Sequence, residues 1–189
     1  YKVGMVDQGL AQAEKLWTVG FSQPDECDPI FNVWRGANGI TPEIAWQRFA
    51  LSLKENNKDL SSYLIRFVDR QDKPFATNYR LVHLKPKSIK RYKSFKATNI
   101  HNREIILHGV KRLSRIDPED ALLTLGQYEK LQDFNPVELE DAYAYIGVRL
   151  AGKSNDLALI DSLPVNLHEQ PKLVEARIRQ SLEHGDWSN

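Results

Sequence analysis

The chain has 189 residues, of which 41% are hydrophobic, so it can bury a substantial core and does not have the composition of a disordered or fibrous protein. Its 26 basic residues nearly balance its 25 acidic residues, and the formal net charge is +1. Overall charge therefore gives no indication of binding to nucleic acid or to a membrane surface, and only a local patch could provide it.

The chain shows neither a membrane span nor a secretion signal. No apolar run approaches the roughly 18 residues of a membrane-spanning helix. The first residues, which start at Tyr1, lack the charged head and apolar run of a signal peptide. We therefore expect this chain to be a piece of a longer protein.

Four pairs of a capping residue and a proline predict helix starts. A side-chain oxygen of Asp, Thr or Asn accepts a hydrogen bond from the first helical N–H groups, and proline at the first helical position sacrifices no such bond. The four pairs are Asp28 with Pro29, Thr41 with Pro42, Asp117 with Pro118, and Asn135 with Pro136. Glycine readily takes the left-handed conformation that ends a helix. The glycines that predict helix ends are Gly20, Gly39, Gly152 and Gly185.

Between these signals, apolar residues recur three and four positions apart. Two such sets are Leu139, Tyr143, Ile146 and Leu150, and Val174, Ile178 and Leu182. This spacing places each set on one face of a helix. In chain order, the predicted helices cover residues 8–19, 28–37, 42–55, 59–69, 74–85, 89–96, 99–114, 118–132, 136–151, 155–162 and 171–184. No strand is predicted.

Each predicted helix has only a narrow apolar face, which it can bury only against its neighbours. The short loops favour antiparallel neighbours. We therefore predict an all-α fold, an irregular α-solenoid or superhelix of stacked short antiparallel helices, in which residues 1–189 form a single segment. The tetratricopeptide, ankyrin and leucine-rich signatures are absent. A compact irregular helical domain is the alternative.

One stretch near the start, together with a shorter one near the end, resembles a known family. The residues that carry the resemblance are Leu16, Trp17, Gly20, Ser22, Gln23, Pro24, Cys27, Asp28, Phe31, Val33, Trp34 and Arg35, and then Glu175, Arg177, Arg179, Leu182, Gly185 and Asp186. In order and spacing they are similar to a segment of the soluble lytic murein transglycosylases. Residues 60–150 show only a compatible helical pattern.

The resemblance implies that the chain is a segment of the superhelical (U-type) domain of such a periplasmic enzyme. The family cleaves the bond between N-acetylmuramic acid and N-acetylglucosamine in peptidoglycan, with formation of a 1,6-anhydro ring. Its superhelical domain helps to form a ring against which the catalytic domain is docked. The implied partners are therefore peptidoglycan glycan strands, reached through the parent protein, and the catalytic domain of the same protein.

No catalytic residue is predicted in this chain. In the family, one glutamate in a Glu-Ser motif acts as acid and then as base, supported by Gly-Leu-Met-Gln and Ala-Tyr-Asn motifs, and none of these motifs is present. The nearest similarity runs from Ala142 to Gly147, but it lacks the asparagine. We therefore interpret Tyr143 and Tyr145 as packing residues. Phosphate-binding loops and nucleophile elbows are also absent, and no cofactor is predicted.

The single cysteine, Cys27, needs an explanation. An odd cysteine in an exported protein suggests a partner elsewhere. The resemblance implies another cysteine about a helix pair upstream, before Tyr1, so we predict a disulfide to a cysteine outside this chain. The alternative is a buried free thiol that packs as a small apolar group.

A possible metal site has little support. His101, Glu104 and His108 are spaced three and four apart, so that they would project from one side of a helix and could ligate zinc. Such a set arises easily by chance on a solvated helix, and we predict no metal site.

The tryptophans have two interpretations. Trp17, Trp34 and Trp46 could stack on sugar rings. However, Trp34 follows Phe31 by three residues and Trp46 precedes Phe49 by three, so each pair shares a helix face. We predict that the three tryptophans belong to the core.

The segment from His83 to Arg112 is basic, with Glu104 as its single acidic residue. The candidates for contact with a polyanion or with glycan are Lys87, Lys90, Arg91, Lys93 and Lys96. Murein strands could be held there through the carboxylates of their peptide stems, and the alternative is a solvated surface in which lysine stems cover apolar neighbours.

Two functions of other classes stay open. The chain could be an independent helical-repeat scaffold that recruits a protein partner through its concave surface. It could also bind nucleic acid through residues 85–112, with Tyr92 and Phe95 available for stacking. The second of these is the less favoured.

Overall fold

The computed structural model describes residues 6–153 and 157–185. Within these ranges it contains ten α-helices, four 3₁₀-helices and no strand. The α-helices are α1 (Val6–Trp17), α2 (Asp28–Gly36), α3 (Pro42–Lys54), α4 (Lys58–Leu64), α5 (Lys73–Leu84), α6 (Ile100–Leu113), α7 (Pro118–Glu129), α8 (Pro136–Ala151), α9 (Leu157–Asp161) and α10 (Pro171–His184). The 3₁₀-helices are Asp25–Cys27, Pro86–Lys90, Tyr92–Phe95 and Val165–Leu167. The predicted all-α fold class is confirmed.

Most predicted helix caps are confirmed by side-chain hydrogen bonds. Thr41, Asp117 and Asn135 accept from the backbone N–H groups of Ile44, Asp120 and Val137, at 3.3, 2.9 and 2.9 Å respectively. The predicted helix start at residue 28 is correct, but the predicted role of Asp28 as the capping residue is wrong. The helix α2 begins at Asp28 itself, and the preceding Cys27 makes no side-chain cap bond.

The predicted left-handed helix ends are correct only at Gly185, which has φ of 67°. After α2 the left-handed residue is Asn38, with φ of 59°, and Gly39, which follows it, does not have a positive φ. Gly39 instead permits a close approach, because a Cβ atom there would lie 2.2 Å from Nε1 of Trp34. Gly20 and Gly152 likewise lack a positive φ.

The predicted helix at 89–96 is wrong. Two 3₁₀-helices replace it, and Arg91 between them has φ of −78° and ψ of 66°, outside the helical region. The predicted helix at 59–69 is also shorter, since α4 ends at Leu64 and a turn follows in which the Phe67 N–H donates to the Leu64 carbonyl at 2.9 Å.

The chain divides into two compact units, residues 1–80 and residues 81–189, with the boundary inside α5. That both belong to one superhelical segment stays a prediction.

In the first unit, α1 packs on α2 and α3 packs on α4. Trp17, Trp34 and Trp46 are buried there, which confirms their predicted place in the core. The Trp17 and Trp34 ring centroids are 5.5 Å apart, an ordinary distance for packed aromatic rings.

In the second unit, α6 is the central helix and packs against α7, α8 and the 3₁₀-helix Pro86–Lys90. Its apolar residues Ile105, Ile106 and Val110 are fully buried. Gly109 permits the close approach, because a Cβ atom at that position would lie 2.6 Å from Val82 Cγ1 and 2.9 Å from Ile89 Cδ1.

The last helix, α10, packs on α8 through Leu173, which is 3% exposed. The apolar stripe that the sequence indicated on this helix is not buried. Val174, Ile178 and Leu182 are 37%, 55% and 53% exposed. In the described ranges, no helix is both long and apolar enough to span a bilayer.

Candidate functional site

The predicted polyanion-contact residues lie on a segment that we call the basic loop, residues 85–97. This segment contains two short 3₁₀-helices, Pro86–Lys90 and Tyr92–Phe95, and belongs to the second unit. Its apolar residues Ile89 and Phe95 point into the core and are 0% and 1% exposed. The loop is therefore anchored through its own side chains.

Three buried polar side chains also hold the backbone of the basic loop. The hydroxyl of Tyr128 on α7 donates to the carbonyl of Ile89 at 2.6 Å. The amide Nε2 of Gln132 donates to the carbonyl of Phe95 at 2.9 Å, and Nδ2 of Asn102 on α6 donates to that of Ala97 at 2.8 Å. These bonds satisfy carbonyl groups that a regular α-helix would satisfy internally.

The aromatic residues of the basic loop face the protein. The rings of Tyr92 and Tyr128 lie 5.0 Å apart, and those of Phe95 and Tyr128 lie 6.4 Å apart at a nearly perpendicular angle. Because Phe95 is buried, it is not available to stack on a nucleic-acid base. This geometry weakens the nucleic-acid interpretation.

The basic side chains of the loop face solvent, since Lys87, Lys90, Arg91, Lys93 and Lys96 are all exposed. Lys90 has an acidic partner. Its Nζ lies 2.8 and 3.0 Å from the two carboxylate oxygens of Asp120, and this hydrogen bond raises the pKa of Lys90. The other four, Lys87, Arg91, Lys93 and Lys96, form no ion pair with any residue that the structure describes. The candidate surface thus reduces to these four cations.

The basic residues at the end of α6 belong to a different environment. Lys111 forms an ion pair with Asp141 on α8. Burial lowers the pKa of the half-buried Arg112, and the neighbouring Arg115 lowers it further. The basic segment 83–112 is therefore not one continuous cationic surface.

The residues interpreted as packing residues have polar roles as well. Tyr143 is buried, and its hydroxyl donates to Glu129. Tyr145 is half-buried, with the guanidinium of Arg149 3.6 Å from its ring centroid, and its hydroxyl accepts from Arg115 at 3.0 Å. Both contribute to packing, as predicted.

The histidine at 108 has a partner that the sequence did not suggest. Nδ1 of His83 lies 3.1 Å from Nε2 of His108, and the two rings are stacked with centroids 5.3 Å apart. In the ranges that the structure describes, no group of three metal-ligating side chains is assembled.

Cys27 is a free, half-buried thiol at the end of the first 3₁₀-helix. A disulfide within this chain is not supported, because the chain contains one cysteine. Pairing with a cysteine outside the chain stays a prediction.

A cleft in the first unit was not predicted. It has a volume of about 470 Å³, and its wall includes Trp17, Phe31 and the side chain of Arg48. Arg48 is 7% exposed and its guanidinium carbon lies 4.4 Å from the Trp17 ring centroid. The sequence did contain a signal for the burial of Arg48. It lies three residues after Ala45 and therefore on the apolar face of α3.

Comparison with known proteins finds relatives in the family that the sequence resembles. No family model matches the chain. Over 188 residues it is 22% identical to the soluble lytic murein transglycosylase of Escherichia coli K12, with 98% of the chain and 29% of that protein covered. The Salmonella typhimurium protein of the same name is 23% identical over 194 residues, with the same coverage.

Two solved structures have the same fold. An inactive mutant of the lytic transglycosylase Slt from Pseudomonas aeruginosa superposes with a TM-score of 0.81 and 28% identity, covering 98% of the chain and 30% of that protein. The 70 kDa soluble lytic transglycosylase from Escherichia coli gives a TM-score of 0.76 at 22% identity, covering 97% of the chain and 30% of that protein. The chain is homologous to a segment of the soluble lytic murein transglycosylases.

The homology to the lytic transglycosylases extends the resemblance seen in the sequence. It runs through residues 60–150, where the sequence showed only a helical pattern. The chain spans about 29% of the length of the curated relatives that it matches.

Proposed function

We propose that this chain is a non-catalytic scaffold segment of a periplasmic soluble lytic transglycosylase. The parent protein would cleave the bond between N-acetylmuramic acid and N-acetylglucosamine, with formation of the 1,6-anhydro ring, at a catalytic domain elsewhere in the polypeptide. The observation that carries the proposal is the comparison with the relatives, which covers 98% of the chain but 29% of their length.

The carboxyl groups of the chain support a non-catalytic role. A general acid near neutral pH needs a carboxyl group whose pKa is raised by burial in an apolar site. No aspartate or glutamate whose burial the structure describes is among the buried residues. The pKa of Glu43 is lowered, because its carboxylate accepts a hydrogen bond from Thr41.

The contribution of the segment would be positional. Stacked helices form a stiff wall, and a wall beside the catalytic domain of the same protein would limit how a glycan strand approaches the catalytic glutamate. The exposed cations of the basic loop would attract the carboxylates on the peptide stems of that strand. Solvent screening makes each such contact weak, so we expect binding only through several of them.

Co-sedimentation with purified murein tests the role of the basic loop. In the variant Lys87→Ser, Arg91→Ser, Lys93→Ser and Lys96→Ser, we expect most of the bound fraction at low salt to be lost. The matched control changes four exposed cations elsewhere, Lys15, Arg70, Lys73 and Lys130, to Ser and removes the same charge. Unchanged binding in the first variant, or equal loss in both, would contradict the proposal.

An activity assay tests the non-catalytic role. The purified chain, incubated with murein sacculi, is expected to release no anhydro-muropeptides above the background of buffer alone. A homologous full-length lytic transglycosylase serves as the positive control. Release by the chain alone would overturn the proposal.

The alternative scaffold function has one supporting observation. The exposed stripe Val174, Ile178 and Leu182 on α10 is the kind of apolar face on which protein partners dock. The nucleic-acid alternative predicts binding to single strands that weakens steeply with salt, which the same variants would test.

A further inference from the structure

Among the residues that the structure describes, the buried cation in the cleft of the first unit, Arg48, has no ion-pair partner. In the described part of the chain, Nε of Arg48 is buried and makes no hydrogen bond. Its guanidinium lies over the ring of Trp17, and burial lowers the pKa of Arg48. A buried charge is expensive unless it is paired, so an acceptor placed here from solution would gain more than at the surface.

The rest of the cleft restricts the ligand. Aromatic side chains, Trp17, Phe31 and Phe67, form apolar walls that suit a small apolar group. Two exposed carboxylates, Asp28 at the start of α2 and Asp59 at the start of α4, line the same space. They repel a multiply charged anion and can accept hydrogen bonds from ammonium or amide N–H groups.

The size of the cleft agrees with a small ligand. Its volume of about 470 Å³ lies within the range of roughly 300–1,000 Å³ that is typical of small-molecule sites. All of its lining residues belong to the first unit, whereas the basic loop belongs to the second. The two surfaces can therefore be tested separately.

We propose that this cleft binds a short peptide or amino acid, with the ligand carboxylate on Arg48, its N–H donors shared between Asp28 and Asp59, and its apolar side against Trp17 and Phe31. The planar guanidinium matches a carboxylate through two parallel N–H donors. The two carboxylates disfavour phosphorylated polyanions, and the charge of Arg48 favours a carboxylate over a neutral sugar. The inference does not rest on the proposed scaffold role.

NMR titration of the ¹⁵N-labelled chain provides the test. The probes are L-alanyl-L-alanine and D-alanyl-D-alanine, each also as its C-terminal amide, with N-acetylglucosamine as a neutral sugar. We expect the acids to shift the indole resonance of Trp17 and the Nε–H of Arg48, and the amides to bind at least tenfold more weakly. Preference for either stereoisomer supports the proposal, and a preference for the D,D form points to a cell-wall stem peptide as the source.

The variant Arg48→Met is expected to abolish dipeptide binding, whereas Arg70→Met, an exposed arginine outside the cleft, should bind as the unmodified chain does. Methionine has a similar length and removes the cost of a buried unpaired charge, so we expect this variant to fold. If Arg48→Met does not fold, Asp59→Asn at the rim replaces it, with an expected several-fold weakening.

Three results would overturn the proposal. They are equal affinity of acid and amide, unchanged binding in the folded variant used, and no binding of either dipeptide at its solubility limit. Loss of murein sedimentation with intact dipeptide binding, or the reverse, separates this cleft from the basic loop.

Discussion

Tyr128 joins the basic loop to the helices beneath it. Its side chain is fully buried, its ring contacts those of Tyr92 and Phe95, and its hydroxyl donates to the carbonyl of Ile89. A buried carbonyl that loses its donor keeps the full cost of its desolvation. The position of the loop should therefore depend strongly on this one hydroxyl.

We expect Tyr128→Phe to lower the free energy of unfolding by about 1–3 kcal/mol, because it leaves the carbonyl of Ile89 without its donor. Urea unfolding at neutral pH measures the change. The control Tyr63→Phe removes a hydroxyl from an exposed residue and should change stability by less than about 0.5 kcal/mol. Equal effects of the two substitutions would contradict the assigned role of Tyr128.

Buried tyrosines predict a loss of stability at alkaline pH. Burial raises the pKa of Tyr128, and burial together with the bond to Glu129 raises that of Tyr143. Above about pH 10, unfolded tyrosines lose their protons while these two keep theirs, so the unfolded state binds fewer protons and stability falls. Below that pH the contribution is fully present.

Urea unfolding at several pH values between neutral and strongly alkaline checks this dependence. Each tyrosine with a raised pKa contributes up to about 1.4 kcal/mol of lost stability per pH unit. The decline should therefore be shallower in Tyr128→Phe than in the unmodified chain. A decline with the same slope in both would show that Tyr128 does not contribute.

Single residues were predictable where their neighbours in sequence decide their environment. The core positions of Trp34 and Trp46 follow from aromatic neighbours three residues away. The burial of Arg48 depends on Trp17, which comes from another helix, and the pairing of His108 depends on His83. These contacts join residues that are far apart in the sequence, so no pattern of neighbouring residues could predict them.

At the scale of elements, helix starts were predicted better than helix ends. A capping side chain and the N–H group that it satisfies are two or three residues apart, so the signal is local. The replacement of a helix at 89–96 by two 3₁₀-helices depends on Tyr128 and Gln132, more than 30 residues along the chain. The cations of this segment are exposed, and their contact with a polyanion stays a prediction, whereas the inward direction of Phe95 was not predicted.

Two glycines in the middle of helices should respond oppositely to the same substitution. Gly109→Ala would place a Cβ atom within 3.0 Å of Val82 and Ile89, and overpacking of this kind costs about 1–3 kcal/mol. Alanine regains about 0.5–1 kcal/mol of helix stability. We therefore expect a net destabilisation of up to about 2.5 kcal/mol.

Gly126→Ala is the matched substitution on α7. The nearest atom to its new Cβ would be the Tyr143 hydroxyl at 4.0 Å, so we expect stabilisation of about 0.5–1 kcal/mol. Denaturant midpoints of both variants measure the difference. If Gly109→Ala were as stabilising as Gly126→Ala, the close contact of α6 with Val82 and Ile89 would be refuted.

At the scale of the whole molecule, the all-α class followed from the helix-start signals and from apolar residues spaced three and four apart. The division into residues 1–80 and 81–189 did not, because no glycine-rich or proline-rich linker marks the boundary inside α5. The same periodicity indicated that the stripe of α10 would be buried, yet Ile178 and Leu182 are exposed. Periodicity defines a face but not what covers it.

The exposed stripe leads to a stability prediction. Ile178→Glu should change the free energy of unfolding by less than about 0.5 kcal/mol, because the side chain is already 55% exposed. Leu173→Ala, on the same helix but buried on α8, should cost about 2–5 kcal/mol. Thermal or urea unfolding distinguishes them, and a large effect of Ile178→Glu would show that the stripe belongs to the core of the chain.

The anchoring of the basic loop also affects the kinetics of any association. Its backbone is fixed by hydrogen bonds from Tyr128, Gln132 and Asn102, so its conformational freedom is lost when the chain folds rather than when a partner arrives. A charged polymer would meet cations on a backbone that is already fixed, and it would have to order only their side chains. Encounter should then be limited by diffusion and ionic strength.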